Sequence, residues 1–248
     1  MRRLDFQIGF LNEINRSKLI SNKPTTFEIE YWINAGIRKF IKTRYSGLNI
    51  KQEAFEESEK RIEDLRNLVK EKVISITEEN IKDANTSYQT IILDNIFNSD
   101  SAIWFVVNET VDITSNSKCW PTVKKGTGEV PAVKTVDVVQ CTNDNINSRL
   151  NNSLSEYHFH NNYARPLRLF QGKGVYLYTD GNYTLKNYSI RYIKEPEPIN
   201  ITAMPMVEYT DLAAHTHDEI IRLAAKMYIE NQTDPRYRTY SNEVNEGE

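Results

Sequence analysis

TTFEIEYWINAGIRKFIKTRYSGLNIKQEAFEESEKRIEDLRNLV, residues 25–69, is the stretch on which the fold turns. Ile29, Ile33, Ile37, Phe40 and Ile41 recur three or four apart, one face of a 3.6-residue period. Thr25 opens a Thr-x-x-Glu box with Glu28, directly after Pro24. Such a box satisfies orphan N–H groups at a helix start. Gly47, after Ser46, closes the helix because glycine accepts the left-handed conformation of a C-cap. A second helix is expected with Phe55, Ile62, Leu65 and Val69 as its apolar stripe. Its charged face pairs Glu57 with Arg61, which supports the helix, and Glu59 with Glu63, which does not. The stretch predicts a helical packing unit and carries no catalytic constellation.

The chain of 248 residues is long enough to bury a substantial core. Hydrophobic content of 39% with 26% charged residues predicts a folded protein and argues against wholesale disorder. A net charge of −3 removes the general positive field that drives tight nucleic-acid binding. Cys119 and Cys141, the two cysteines, make no disulfide framework and are expected to be reduced. No apolar run approaches the ~20 residues needed to span a bilayer. Asp5, Gln7, Asn12 and Glu13 interrupt any signal core, so synthesis in a cytoplasm is expected.

Residues 4–20 predict a first helix, with Phe6, Phe10, Ile14 and Leu19 at helical spacing. After Val69 the period shifts towards two. Strands are expected at Val73–Ile76, Tyr88–Leu93, Ile103–Ile113, Val136–Cys141, Arg165–Phe170, Gly174–Thr179 and Tyr183–Ile193. The run beginning IWFVV at Ile103 is apolar without alternation, which predicts cover on both faces. Residues 114–131 read as a surface or subunit-contact loop. KKGTGEVP within it lacks the spacing of a phosphate loop. Thr142 is expected to cap a short helical turn. Asp180-Gly181 predicts a tight hairpin between its flanking strands, and Glu195-Pro196-Glu197-Pro198 ends the sheet. Asp211–Asn231 predicts the last helix, with Leu212, His215, Ile220, Leu223, Ala224, Met227 and Tyr228 on its buried side. The fold class is α+β: a bundle of three N-terminal helices plus a C-terminal helix, with a β-rich insertion and an extended C-terminal tail. The expected divisions are 1–72, 73–200, 201–232 and 233–248.

Candidate chemistry is sparse. His215 and His217 lie two apart on a helix, so their imidazoles diverge by about 200°. The expected role of this stretch is a helix start, with Thr210 or Asp211 as N-cap and Asp218 and Glu219 in solvent. His158 and His160 share one strand face, but only Glu156 stands near as a third ligand, and structural zinc takes four. At a subunit interface that pair would tune assembly near pH 6. Glu53, Glu56, Glu57, Glu59, Glu63 and Asp64 read as a solvated acidic face. Tyr157, Tyr163, Tyr176, Tyr178, Tyr183, Tyr188 and Tyr192 concentrate in the second β part. Alternation buries some and leaves others for a partner or a sugar. No metal, cofactor or catalytic residue is expected.

Three segments together resemble the head–tail connector, or ring and neck, proteins of tailed bacteriophages. They are EYWINAGIRKF…FEESEKRIEDLRNLV, YSIRYIKEPEPI and HTHDEIIRLAAKMYIENQTDPRY. The nearest likeness is to those of crAss-like podoviruses of gut Bacteroidetes. The resemblance implies a structural virion protein, assembled in the host cytoplasm, with no catalysis and no cofactor. It implies a homo-oligomeric ring of about a dozen copies, closed by rotational symmetry. The partners would be the portal, neighbouring neck rings and double-stranded DNA passing through without sequence-specific binding. By position, Asp234, Pro235, Arg236, Tyr237, Arg238 and Tyr240 correspond to a tail that inserts into a neighbouring subunit or the portal. A second reading, a carbohydrate- or receptor-binding tail module, rests on the tyrosine-rich β region and would depend on Tyr176 or Tyr178.

Overall fold

The computed structural model describes residues 1–16, 23–47, 54–84, 88–94, 102–117, 120–125, 128–151, 165–172 and 174–232. It is a mixed α+β structure. The chain divides into two compact units: Met1–Val69 with Glu195–Glu248, and Lys70–Lys194.

The first unit is built on α1 (Arg3–Arg16), α2 (Thr26–Ser46), the short α3 (Glu59–Leu65) and α5 (His217–Asn231). The Thr25 box forms as expected: the Glu28 N–H reaches Thr25 Oγ1, and the Thr25 N–H donates to Glu28 Oε2 at 2.7 Å. Gly47 terminates α2 at φ 70°. Ile29, Ile33, Ile37, Phe40 and Ile41 are all buried. α5 packs against α1 and α2. Phe10 and Trp32 each meet Tyr228 edge-on, at centroid distances of 5.8 and 6.1 Å. Residues 199–202 are tied to α2 by side chains one turn apart. Asn34 exchanges hydrogen bonds with the Ile199 backbone, and Glu30 Oε1 accepts from the N–H groups of Ile201 and Thr202.

The second expected helix is much shorter than its stripe. Phe55 lies in a turn before α3, Ile62 is exposed, and Val69 already begins β1 (Val69–Ser75) after a 3₁₀ turn. The like-charged Glu59–Glu63 pair and β-branched Val69 both weaken helix. The strand takes over where Lys70, Lys72 and Ile74 resume a period of two. The last helix also starts late. Asp211 Oδ2 accepts from the Glu197 N–H at 2.7 Å, and a 3₁₀ turn over Ala214–Thr216 precedes α5. Thr216, not Thr210 or Asp211, is therefore the N-cap position. Leu212, Ile220, Ala224 and Tyr228 are buried as expected, whereas His215 is exposed.

The second unit contains two sheets that share one core. The remaining strands are β2 (Ile81–Ala84), β3 (Gln89–Leu93), β4 (Ile103–Thr114), β5 (Thr122–Lys125), β6 (Gly128–Pro131), β7 (Lys134–Asp137), β8 (Val139–Cys141), β9 (Leu167–Gln171), β10 (Gly174–Thr179) and β11 (Thr184–Lys194). One sheet runs β1-β11-β4-β7 and the other β2-β3-β10-β9-β8. Ile91, Leu93, Val175 and Leu177 from the second interleave with Val111, Ile113, Leu185, Tyr188 and Ile190 from the first. The chain crosses between sheets at both edges, from β1 to β2 through a 3₁₀ turn at Glu78–Asn80 and from β7 to β8 at Val138. The helical turn after Thr142 is α4 (Ile146–Asn151).

Three expectations are corrected here. Asp180-Gly181 makes a turn, with Gly181 at φ 74° and the Asn182 N–H on Asp180 Oδ1. Its flanking strands do not pair: β10 lies between β3 and β9, and β11 between β1 and β4. Val136–Cys141 is split between the two sheets, as β7 and β8. Residues 114–131 contain a two-stranded arm, β5 paired with β6, in place of a plain loop. The start of β4 is partly covered on both faces, since Ile103 to Val107 are all half-buried.

Candidate functional site

The polar groups of the helical unit converge inward, on Asp64. This carboxylate is buried, although the acidic run around it reads as a solvated face. Glu56, Glu57, Glu59 and Glu63 are exposed as expected; Glu53 lies outside the described residues. Asp64 Oδ2 sits 3.2 Å from Arg44 Nε and 3.7 Å from Arg61 Nη1. Its other oxygen faces His215 Nε2 at 2.9 Å, and Arg44 also pairs with Glu219. Two guanidinium groups and two carboxylates thus balance where α2, α3 and α5 meet. Removing one member would leave a buried charge uncompensated. The cluster is buried at Arg44, Arg61 and Asp64 and reaches the surface at His215 and Glu219, and it works as a clasp between the three helices.

The two helical histidines separate as their spacing predicts. His215 is exposed towards Asp64, while His217 is buried between Phe6 and Tyr209, with centroids 5.0 and 6.0 Å away. Burial holds the His217 imidazole below its usual pKa. Glu219 turns to Arg44 and Asp218 stays in solvent. His158, His160, Glu156, Tyr157 and Tyr163 lie outside the described residues, as do Asp234, Pro235, Arg236, Tyr237, Arg238 and Tyr240. Among the described residues, no cluster of histidine, cysteine and carboxylate is placed to hold a metal. No described helix is long and apolar enough to cross a membrane.

The β unit has a second clasp, which sequence reasoning missed. Glu109 on β4 and Arg168 on β9 come from different sheets and form a buried pair, with Arg168 Nε donating to Glu109 Oε2 at 2.8 Å. Tyr188 on β11 donates its hydroxyl to Glu109 Oε1 at 2.6 Å. Burial and the neighbouring carboxylate push the Tyr188 phenol well above its usual pKa. The Arg168 guanidinium lies 3.6 Å from the Phe170 ring centroid. The available signal was that Glu109 falls on the same alternate positions of β4 as the buried Val111 and Ile113. The tyrosines follow suit: Tyr183, Tyr188 and Tyr192 are buried. Tyr176 and Tyr178 are half-buried against Cys141, Ile146, Leu167 and Leu169.

With the polar interior closed, the candidate functional features are exposed apolar surfaces. On α2, Phe27 is 72% and Tyr31 60% exposed, one turn apart. A methionine-bearing turn presents Met204 (51%) and Met206 (65%) beside Val207. Backbone bonds from Arg3 to Val207 and from Leu4 to Pro205 hold that turn against the start of α1. Thioether side chains are deformable and suit adaptable contacts. On the arm, Val123 and Val130 face each other across β5 and β6 and are both exposed. The alternation of Val123 with Lys124 and Val130 with Glu129 was the missed signal for that arm.

A family model described as phage tail ring protein 3/4 matches residues 25–233. Among curated proteins, no match was found.

Proposed function

This chain belongs to the phage tail ring protein 3/4 family of crAss-like phages, and from that membership we propose that it is a ring subunit in the phage neck. Membership makes it a structural tail component of the virion that assembles with other tail proteins. The finer reading is that the ring connects portal and capsid to the tail and lines or seals the DNA channel, with about a dozen copies related by rotation. In this reading the chain is a scaffold without catalysis or cofactor, assembled in the host cytoplasm. The helices before residue 72 and α5 form its bundle, the β-rich part is an insertion, and the segment from Asp234 to Tyr240 docks on a neighbouring subunit or the portal. A net charge of −3 suits a channel through which DNA must pass without sticking.

The family match over residues 25–233 carries the proposal. Phe27 and Tyr31, one turn apart on α2, and Met204 and Met206 are exposed and open to contact with a protein partner, which is in keeping with it. The rival reading, a carbohydrate- or receptor-binding module, needs exposed aromatic side chains in the β unit. Among the described residues there, every tyrosine and tryptophan is buried or half-buried.

Immunogold labelling of intact and disrupted particles with antibody to this chain tests the reading. Gold at the head–tail junction is expected. Gold at the tail tip or fibres would transfer the assignment to receptor binding.

A further inference from the structure

Resting on the ring reading, we propose that neighbouring copies join through the two opposite edges of the β unit. The β5–β6 arm of one copy would contact the β1–β2 corner of the next. A ring needs a heterologous interface, in which one patch meets a different, complementary patch on an identical chain. The β unit carries such a pair.

The first patch is the arm. All of Thr122–Lys125 and Gly128–Val130 are exposed. A two-stranded hairpin with both faces in water is marginal by itself. The arm nonetheless holds three exposed valines at its strands and base: Val123 (55%), Val130 (40%) and Val133 (54%). Lys124 and Lys125 stand at its outer end. Glu129, the carboxylate of β6, accepts from Thr122 Oγ1 at 3.3 Å. The arm's base is fixed by Trp120 Nε1, which donates to the Ala132 carbonyl at 2.7 Å. It leaves the unit at the β4–β7 side, where Ile113 pairs with Lys134.

The second patch is the corner where the chain passes from β1 to β2. Glu78 and Glu79 are exposed in its 3₁₀ turn, and Val73 on β1 is 59% exposed. The corner also contains Lys186 on β11, whose carbonyl accepts from the Ile76 N–H at 2.7 Å; its exposed ammonium offsets part of the acid. Glu71 is engaged with Arg191.

The relative placement supports the pairing. β1 and β7 are opposite edges of one four-stranded sheet, about 14 Å apart at three strand spacings. Lys186 lies between Leu185, paired with Ile113, and Asn187, paired with Asp112. The acidic corner and the base of the arm therefore sit at the same end of the sheet, facing opposite ways. Copies placed side by side at one height would bring Lys124 and Lys125 to Glu78 and Glu79, and valine to valine. Lys70 and Lys72 on β1 and Lys134 on β7 oppose simple edge-to-edge ladder extension, so the contact is one of side chains.

Charge reversal in the full chain, carried in the phage, tests the pairing. K124E with K125E, and separately E78K with E79K, should each lower the yield of filled infectious particles about tenfold or more. The fourfold variant should restore it to within about threefold, as expected for directly coupled sites. All four side chains are exposed, so circular dichroism of each purified variant should match the parent. Unaltered yield in either double variant would overturn the pairing, and so would failure of the fourfold variant to recover. The ring reading fails separately, if quantitative mass spectrometry of unaltered virions finds a single copy of this chain per particle.

Discussion

Glu109 is the residue whose role is least visible from its neighbours in sequence. It sits in an alternating strand, NETVDIT, where a glutamate ordinarily faces water. Instead it is buried, held by Arg168 and Tyr188 from two other strands. Glu109→Gln should destabilise the chain by about 3–5 kcal/mol, because Arg168 is left charged and buried without its counter-ion. Replacing both Glu109 and Arg168 with apolar side chains of similar volume should recover most of that loss. Urea unfolding of the three proteins checks this, and a Glu109→Gln protein as stable as the parent would show that the pair holds nothing. His217 gives a second expectation. Its folded pKa is depressed by burial, so below the ordinary imidazole value of about 6.5 the unfolded chain takes up a proton that the folded one refuses. Its contribution is complete above that pH and is lost as pH falls towards the folded value. His217→Phe, filling the same space between Phe6 and Tyr209, should flatten the slope of urea midpoint against pH in that window. Asp64 and Glu109 show why such residues evade prediction. A local period can place such a charge on the inward face, but the partners that hold it there, Arg168 and Tyr188 for Glu109 and Arg44 for Asp64, arrive from distant positions that it does not name.

At the scale of elements, legibility followed the strength of the local signal. α2 was readable because box, stripe and terminal glycine agree. α3 was overextended because Phe55, Ile62, Leu65 and Val69 make an acceptable stripe on paper, while the chain had already turned to a strand. Asp180-Gly181 marked the turn correctly but not the pairing, since the dipeptide fixes backbone direction and not which sheet receives the next strand. The arm was hidden in a segment rich in lysine and glycine, whose two valines speak only once the strands are in register. The crossing of α2 and α5 makes a separate prediction. A Cβ on Gly36 would lie 3.0 Å from Ala224 Cβ and 3.3 Å from its backbone. A Cβ on Gly9 would lie 2.8 Å from Ile221 Cδ1, the tip of a flexible side chain. Both changes to alanine gain about 1 kcal/mol of helix propensity. Gly9→Ala should keep that gain as Ile221 swings aside. Gly36→Ala should lose it and about 1 kcal/mol more, because backbone must separate from backbone. Thermal unfolding of the two variants decides it; equal stability would mean the helices are not in close contact there.

At the scale of the molecule, the helical unit draws on both ends of the chain. The period of α5 and the proline break after Glu195 were the sequence's pointers to that return. Among the described residues, the buried side of α5 is filled from the helix itself. Tyr228 and Ile229 are the last buried residues among those described, and the Gln232 N–H closes α5 on the Tyr228 carbonyl at 3.1 Å. Residues 233–248 are mostly polar, and deleting them should shift the melting temperature by less than about 2 °C, the span of a few tenths of a kcal/mol at this chain length. If Arg236, Tyr237, Arg238 and Tyr240 are the docking segment, the same deletion should weaken binding to the portal or the next ring about tenfold or more. Losing a few aromatic and arginine anchors commonly costs that much. Co-sedimentation of the truncated chain with purified portal, or with particles lacking this ring, reads the effect directly. Docking equal to that of the full chain would remove the tail from the interface and leave attachment to the exposed faces of α2, the methionine turn and the β unit.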